Sequence, residues 1–146
     1  MKKGLTIFAL VGVMFFVSQN EAQAQTEGFE IGLRFANANS AAIDFAMPLG
    51  ENRLHANANF FNGGFGVTGI YDWQFAFGDG FMFYPGIGAS MAIANSNFGF
   101  ALGGEVGVEY GFDFPLSLGV DYQPMFAITN GGGYADGWGI NARWRF

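Results

Sequence analysis

The sequence predicts an all-β protein: an eight-stranded antiparallel up-and-down transmembrane β-barrel, preceded by a cleaved signal peptide. Three observations carry that prediction. Side chains alternate with a period of two in eight separate segments. Every charge in those segments falls on the face of small and polar residues. The mature part also carries too little charge to cover a water-facing surface: the whole chain is 12% charged, against about 25% in a typical soluble domain. Successive strand residues point to opposite faces, so such a sheet has one apolar and one polar side.

The strands are read at 29–36, 41–47, 53–61, 65–76, 81–93, 98–110, 116–127 and 138–146. In the first, Phe29, Ile31, Leu33 and Phe35 alternate with Glu30, Gly32, Arg34 and Ala36. The connections at 37–40, 48–52, 62–64, 77–80, 94–97, 111–115 and 128–137 are rich in Asn, Gly, Pro and Asp, which supply turn conformations. All but the last are short enough for hairpins, so sequence neighbours pair antiparallel. Eight tilted strands of about ten residues suit the smallest membrane barrels. Pro85 and Pro124 fall inside strands. Proline lacks the ladder N–H, so a bulge or a strand boundary is expected at each.

Residues 1–24 read as a signal peptide. Lys2 and Lys3 precede a short apolar run from Leu5 to Val17, which ends in Ala22-Gln23-Ala24. That run is shorter than the roughly 20 residues of a spanning helix. Cleavage leaves residues 25–146 as one barrel domain. Removing Lys2, Lys3 and Glu21 leaves 11 acids against four arginines, a formal net charge of −7. No basic surface for nucleic acid is present. The chain has no cysteine, which excludes disulfides and thiolate metal sites.

Ten of the mature charges lie in strands: Glu30, Arg34, Asp44, Arg53, Asp72, Glu105, Glu109, Asp121, Arg143 and Arg145. The other five, Glu27, Glu51, Asp79, Asp113 and Asp136, lie in the tail or connections. A soluble barrel with its apolar face inward shows the same alternation. Three features select the inverted arrangement here. The polar face is mostly Gly and Ala, a poor solvent coat. The apolar face holds too much aromatic bulk for an eight-stranded lumen. The aromatics also gather in two bands near strand ends. One band is Phe29, Trp73, Phe75, Phe81, Phe83, Tyr110, Phe112, Trp144 and Phe146; the other is Phe35, Phe60, Phe65, Phe98, Phe100, Phe126 and Trp138. Interfacial aromatic girdles have this form.

With these features the chain resembles the small eight-stranded outer-membrane barrels of the OmpX and OmpA-transmembrane-domain type, over residues 29–146. The terminal Trp144-Arg145-Phe146 resembles the strand signal read by the outer-membrane assembly machinery, although Asn141 stands where such signals often have Gly. The resemblance implies an outer-membrane location and a monomer. It implies as partners the membrane lipid, the assembly machinery and periplasmic chaperones. It does not specify an activity, because structural proteins, adhesins and enzymes share the architecture.

The inward charges are expected to plug the lumen, since eight strands leave space only for their own side chains. Centring the hairpins on Asn39, residues 62–63 and Asp113 places Arg34 opposite Asp44, Arg53 opposite Asp72, and Glu105 opposite Asp121. Inward glycines, among them Gly86, Gly107, Gly119 and Gly139, leave room for arginines and Tyr84. His55 is the single histidine. It has no sequence motif with a serine, so no catalytic residue is assigned. No cofactor or metal ligand is assigned either; residues 130–133, Asn-Gly-Gly-Gly, read as a flexible loop. The leading expectation is a non-catalytic envelope protein with a structural or surface-interacting role. A narrow pore or small-solute conduit is the alternative, and a lipid-modifying enzyme ranks third. The N-terminus is expected on the periplasmic side. That makes 128–137, with Tyr134 and Asp136, an external loop and the best contact site.

Overall fold

The computed structural model describes residues 28–37, 40–130, 132–135 and 137–146. The signal peptide reading, Glu27 and Asp136 lie outside the described residues. Eight staves form the sheet. They are β1 (Glu30–Ala36), β2 (Ser40–Leu49), β3 (Asn52–Phe61), β4 (Gly64–Asp72, resuming at Phe75–Ala76), β5 (Phe81–Ala94), β6 (Asn97–Gly111), β7 (Leu116–Tyr122, resuming at Met125–Ala127) and β8 (Gly133–Ala135, resuming at Trp138–Arg145). Each pairs antiparallel with its sequence neighbours, and β8 pairs with β1 from Glu30↔Arg145 to Ala36↔Gly139. The barrel is therefore closed and has no free edge in the ring.

The polar face is inside. Asp44, Asp72 and His55 are fully buried, whereas Phe60, Ile87 and Ile140 are more than 60% exposed. A soluble barrel would show the reverse. The exterior is a belt of apolar side chains without a charge. Val108, Val120 and Ile140 stand side by side across β6, β7 and β8. Near the chain termini the outward aromatics touch in a chain: Phe77–Phe81, Phe81–Tyr110, Tyr110–Phe112 and Phe112–Phe114, with centroids 4.8–5.6 Å apart. Phe29 stacks on Phe146 at 5.0 Å beside them. At the opposite end Tyr122 packs on Trp138 at 4.9 Å.

Neither proline bulges its strand; Pro85 lies within β5, whereas Pro124 falls in the break of β7 between Tyr122 and Met125. Asp72 faces Gly86 and Phe75 faces Phe83, so the register is unchanged across Pro85. Gly103 faces Met125 and Val106 faces Tyr122, so the same holds across Pro124. Each proline still accepts a bond through its carbonyl, Pro85 from Trp73 N–H at 2.9 Å and Pro124 from Gly104 N–H at 3.1 Å. Only the missing N–H interrupts the ladder, and both neighbouring strands hold the backbone in place.

The connections are short at both ends. Asn95 and Ser96 both take positive φ, at 48° and 66°, as a two-residue type I′ hairpin requires. The expected long loop at 128–137 is shortened. Gly133–Ala135 pairs with Met125–Ala127 and extends β8. Glycine runs are poor strand formers by themselves. Here the extended edge of β7 supplies the partner, and the connection contracts to 128–132.

Candidate functional site: the lumen

All ten strand charges project into the barrel or its rim, and eight staves contribute to one network. Arg143 on β8 is its hub. Its guanidinium meets Asp44 of β2 at 3.0 Å, Glu30 of β1 at 3.1 Å, and Glu109 of β6. Arg53 of β3 binds both oxygens of Glu109 at 2.9 Å and Asp72 of β4 at 3.1 Å. The Arg53 guanidinium lies 4.5 Å over the ring of Tyr84 from β5, a cation–π contact. Arg34 of β1 binds Asp121 of β7, and Asn141 donates to the other Asp121 oxygen at 2.9 Å. Buried charges are tolerated only when paired in this way.

Glycine makes the space. A Cβ at Gly107 would run into the Tyr84 ring, one at Gly139 into the Arg34 guanidinium, and one at Gly119 into the Asn141 amide. Large inward residues thus lie over glycines on neighbouring staves, the packing that fills a narrow barrel.

Two expected pairings change. Arg34 faces Ala42, and Asp44 faces Gly32, because the first hairpin closes with Ala36 opposite Ser40 rather than around Asn39. Asp44 instead binds His55 and Arg143. Glu105 is not opposite Asp121. The β6–β7 turn pairs Gly111 with Ser117, which sets Asp121 opposite Gly107. Moving a hairpin centre by one residue moves the partner by two, so the face survives while the partner changes. Arg53 does stand opposite Asp72.

Arg145 departs from the network. It donates to the carbonyls of Phe112, Phe114 and Leu116 at 2.7–3.3 Å and lies 3.8 Å from Glu30. It ties down the β6–β7 turn. Trp144 lies on the closing strand and Phe146 directly follows it, its N–H bonding the Phe29 carbonyl at 3.0 Å.

His55 is more central than its isolation in the sequence suggested. Its Nδ1 lies 2.6 Å from Glu105 and its Nε2 lies 2.7 Å from Asp44. Both ring nitrogens therefore face a carboxylate oxygen within hydrogen-bond distance. Nothing in the sequence pairs these residues, which are 50 and 11 positions apart. His55, Asp72 and Glu105 also bring possible metal-ligand atoms within 4.8 Å of one another. Most of these atoms are already engaged: Glu105 binds His55 and Gln123, and one Asp72 oxygen binds Arg53. No hydroxyl is among the partners of His55 that would make a nucleophile–base pair.

Away from the termini the lumen widens into an open vestibule of about 220 Å³. Neutral side chains line it, including Asn57, Asn59, Thr68, Ser90 and Gln123, with the Arg34–Asp121 pair beneath. Sequence reasoning followed charge and passed over these residues. Their signal was parity: they share the inward position of the charged residues on their own strands.

No protein-family model matches this sequence, and no curated protein matches it. Among solved structures it is similar to the crystal structure of Neisserial surface protein A (NspA). The TM-score is 0.55 and the identity 13%, over 81% of this chain and 93% of that one. The likeness is one of fold. It supports the closed eight-stranded antiparallel barrel that the alternation predicted.

Proposed function

We propose that this chain is an integral outer-membrane barrel, exported by residues 1–24, with a non-catalytic structural or surface-interacting role and a non-conducting lumen. The observation that carries this reading is the layer of ion pairs from Arg143 and Arg53 to carboxylates on four different staves, inside an uncharged apolar exterior. An ion crossing it would have to separate buried charge pairs, each several kcal/mol costly to unpair. The membrane lipid, periplasmic chaperones and assembly machinery are the partners of this reading, the last through Trp144 and Phe146. It takes the barrel as a monomer. In planar bilayers the purified barrel is expected to show no discrete conductance steps. Stable steps that scale with salt would replace the plug by the narrow-pore reading.

Orientation follows from both termini lying at one end of an even-stranded barrel. With that end periplasmic, the hairpin at 62–63 is external and the one at 50–51 is periplasmic. Asn62→Cys should label with an impermeant thiol reagent on intact cells, and Glu51→Cys only after permeabilisation. The opposite pattern would invert the barrel. Both ends are short, so a surface role rests on the rim of the barrel rather than on protruding loops.

A further inference from the structure

The vestibule is a built polar cavity above a sealed floor, and its lining selects a ligand chemistry. We propose that it binds one small, uncharged, hydroxyl-rich solute of monosaccharide or polyol size. The inference goes beyond the envelope role proposed above and rests only on the barrel fold and the sealed floor.

Charge decides the first step. Among the described residues, Arg34 is the only charged side chain in the lining, and it is already bound to Asp121 through Nε at 2.9 Å and through Nη2. Its Nη2 also donates to the Gly137 carbonyl at 3.2 Å. An anion would compete with Asp121, whose carboxylate already offsets the guanidinium charge. A cation would meet no free carboxylate among the described residues of the lining. The site therefore favours a neutral ligand.

Polarity decides the second step. Asn57, Asn59 and Gln123 line the wall with side-chain amides, groups that both donate and accept. Thr68 Oγ1 donates to Ser90 Oγ at 3.1 Å, making a hydroxyl pair on the adjoining wall. An apolar ligand would desolvate these groups without replacing their bonds. A sugar or polyol hydroxyl, both donor and acceptor, matches them. Gln123 is also pre-oriented: its Nε2 is held by Glu105 at 2.5 Å, and its Oε1 faces Asn57 Nδ2 at 3.5 Å. The plug below thus positions a recognition group above it, as supported sites require. Asn59 sits over Gly66, where a Cβ would meet its Oδ1 at 2.7 Å, so its position depends on that glycine. Met125, Ala36 and Ala42 supply small apolar patches in the same lining, suited to the C–H faces of a sugar ring.

Size decides the third. A volume of about 220 Å³ corresponds to roughly seven waters at ~30 Å³ each. That accommodates a small polyol, a single sugar ring or the end ring of a longer saccharide.

The test uses the refolded full barrel in detergent micelles with labelled side-chain amides, titrated with D-glucose, glycerol and sodium sulfate. Saturable shifts of the Asn57, Asn59 and Gln123 amides with D-glucose or glycerol, and none with sulfate, are expected. Methyl α-D-glucoside separates two sources: retained binding indicates the end of a glycosidic chain, and lost binding a free reducing sugar. Ser90→Leu fills the vestibule and should weaken binding by about tenfold or more, with the remaining spectrum and heat-modifiable gel migration unchanged. Because Ser90→Leu could perturb the strand, Thr68→Val, which removes one hydroxyl at constant shape, serves as a second variant and should also weaken binding. Absence of saturable shifts, equal response to sulfate, or wild-type binding by both variants would overturn the proposal. A non-conducting barrel that binds no solute would leave the envelope role standing and remove this site alone.

Discussion

Arg143→Ala is expected to destabilise the barrel by about 3–5 kcal/mol, the cost of leaving buried charge without its partner. Arg143 is fully buried and is shared by Glu30, Asp44 and Glu109. Removing it leaves three carboxylates facing each other in a space that water enters poorly. The carboxylates would repel, and Asp44 would depend on His55 alone. Glu105→Gln makes a smaller change. The amide keeps the side-chain length and an acceptor oxygen, and the loss is that of one charge-assisted bond, about 1.5–3 kcal/mol. Denaturant unfolding of both variants from vesicles, at equal slope, should place the Arg143→Ala midpoint lower. The reverse order would sink the plug and favour a hydrated lumen.

Val120→Arg is expected to impair insertion by about 2–4 kcal/mol, the cost of an arginine at the midplane of a barrel's lipid face. Val120 is half exposed and stands between Val108 and Ile140. No carboxylate lies on that face to receive the charge. The adjacent inward residue, Gly119, is no neutral comparison, because a Cβ there would press on the Asn141 amide at 2.7 Å. The fair control puts the same charge on the other face where space exists: Ser90→Arg, in the open vestibule. Folding into bilayers should fail for Val120→Arg and persist for Ser90→Arg. Equal yields would show that the apolar exterior does not meet lipid.

Much of the architecture was legible because a strand's side-chain period is two. A hairpin misjudged by one residue at its centre shifts every partner by two, and each residue keeps its face. So Arg34 and Asp44, misassigned as partners, were still both placed inward. The same tolerance kept all ten strand charges on the polar side while their pairings were wrong in two hairpins of three. Gly133–Ala135 was misread as loop because three glycines carry no alternation. Ile70 breaks the pattern in the other direction: it is an apolar side chain buried in the lumen, 1% exposed, on the small-residue face.

By itself, then, the sequence determined the fold class, the eight staves and which face of each looks inward. Those follow from local alternation and turn chemistry, which short stretches of chain carry. Only the tertiary structure decided which groups meet across the lumen. Arg34 and Asp121 are 87 residues apart, Arg143 and Asp44 are 99 apart, and Arg53 and Glu109 are 56 apart. None of these pairs is on adjacent staves. Hairpin ladders relate neighbours only. The height at which opposite walls face one another depends on strand tilt and on the stagger accumulated around the whole ring. That stagger is complete only when β8 pairs with β1, Glu30 against Arg145. Closure therefore placed His55 between two carboxylates, gathered the arginines into one layer, and left the neutral amides above them as an open cavity.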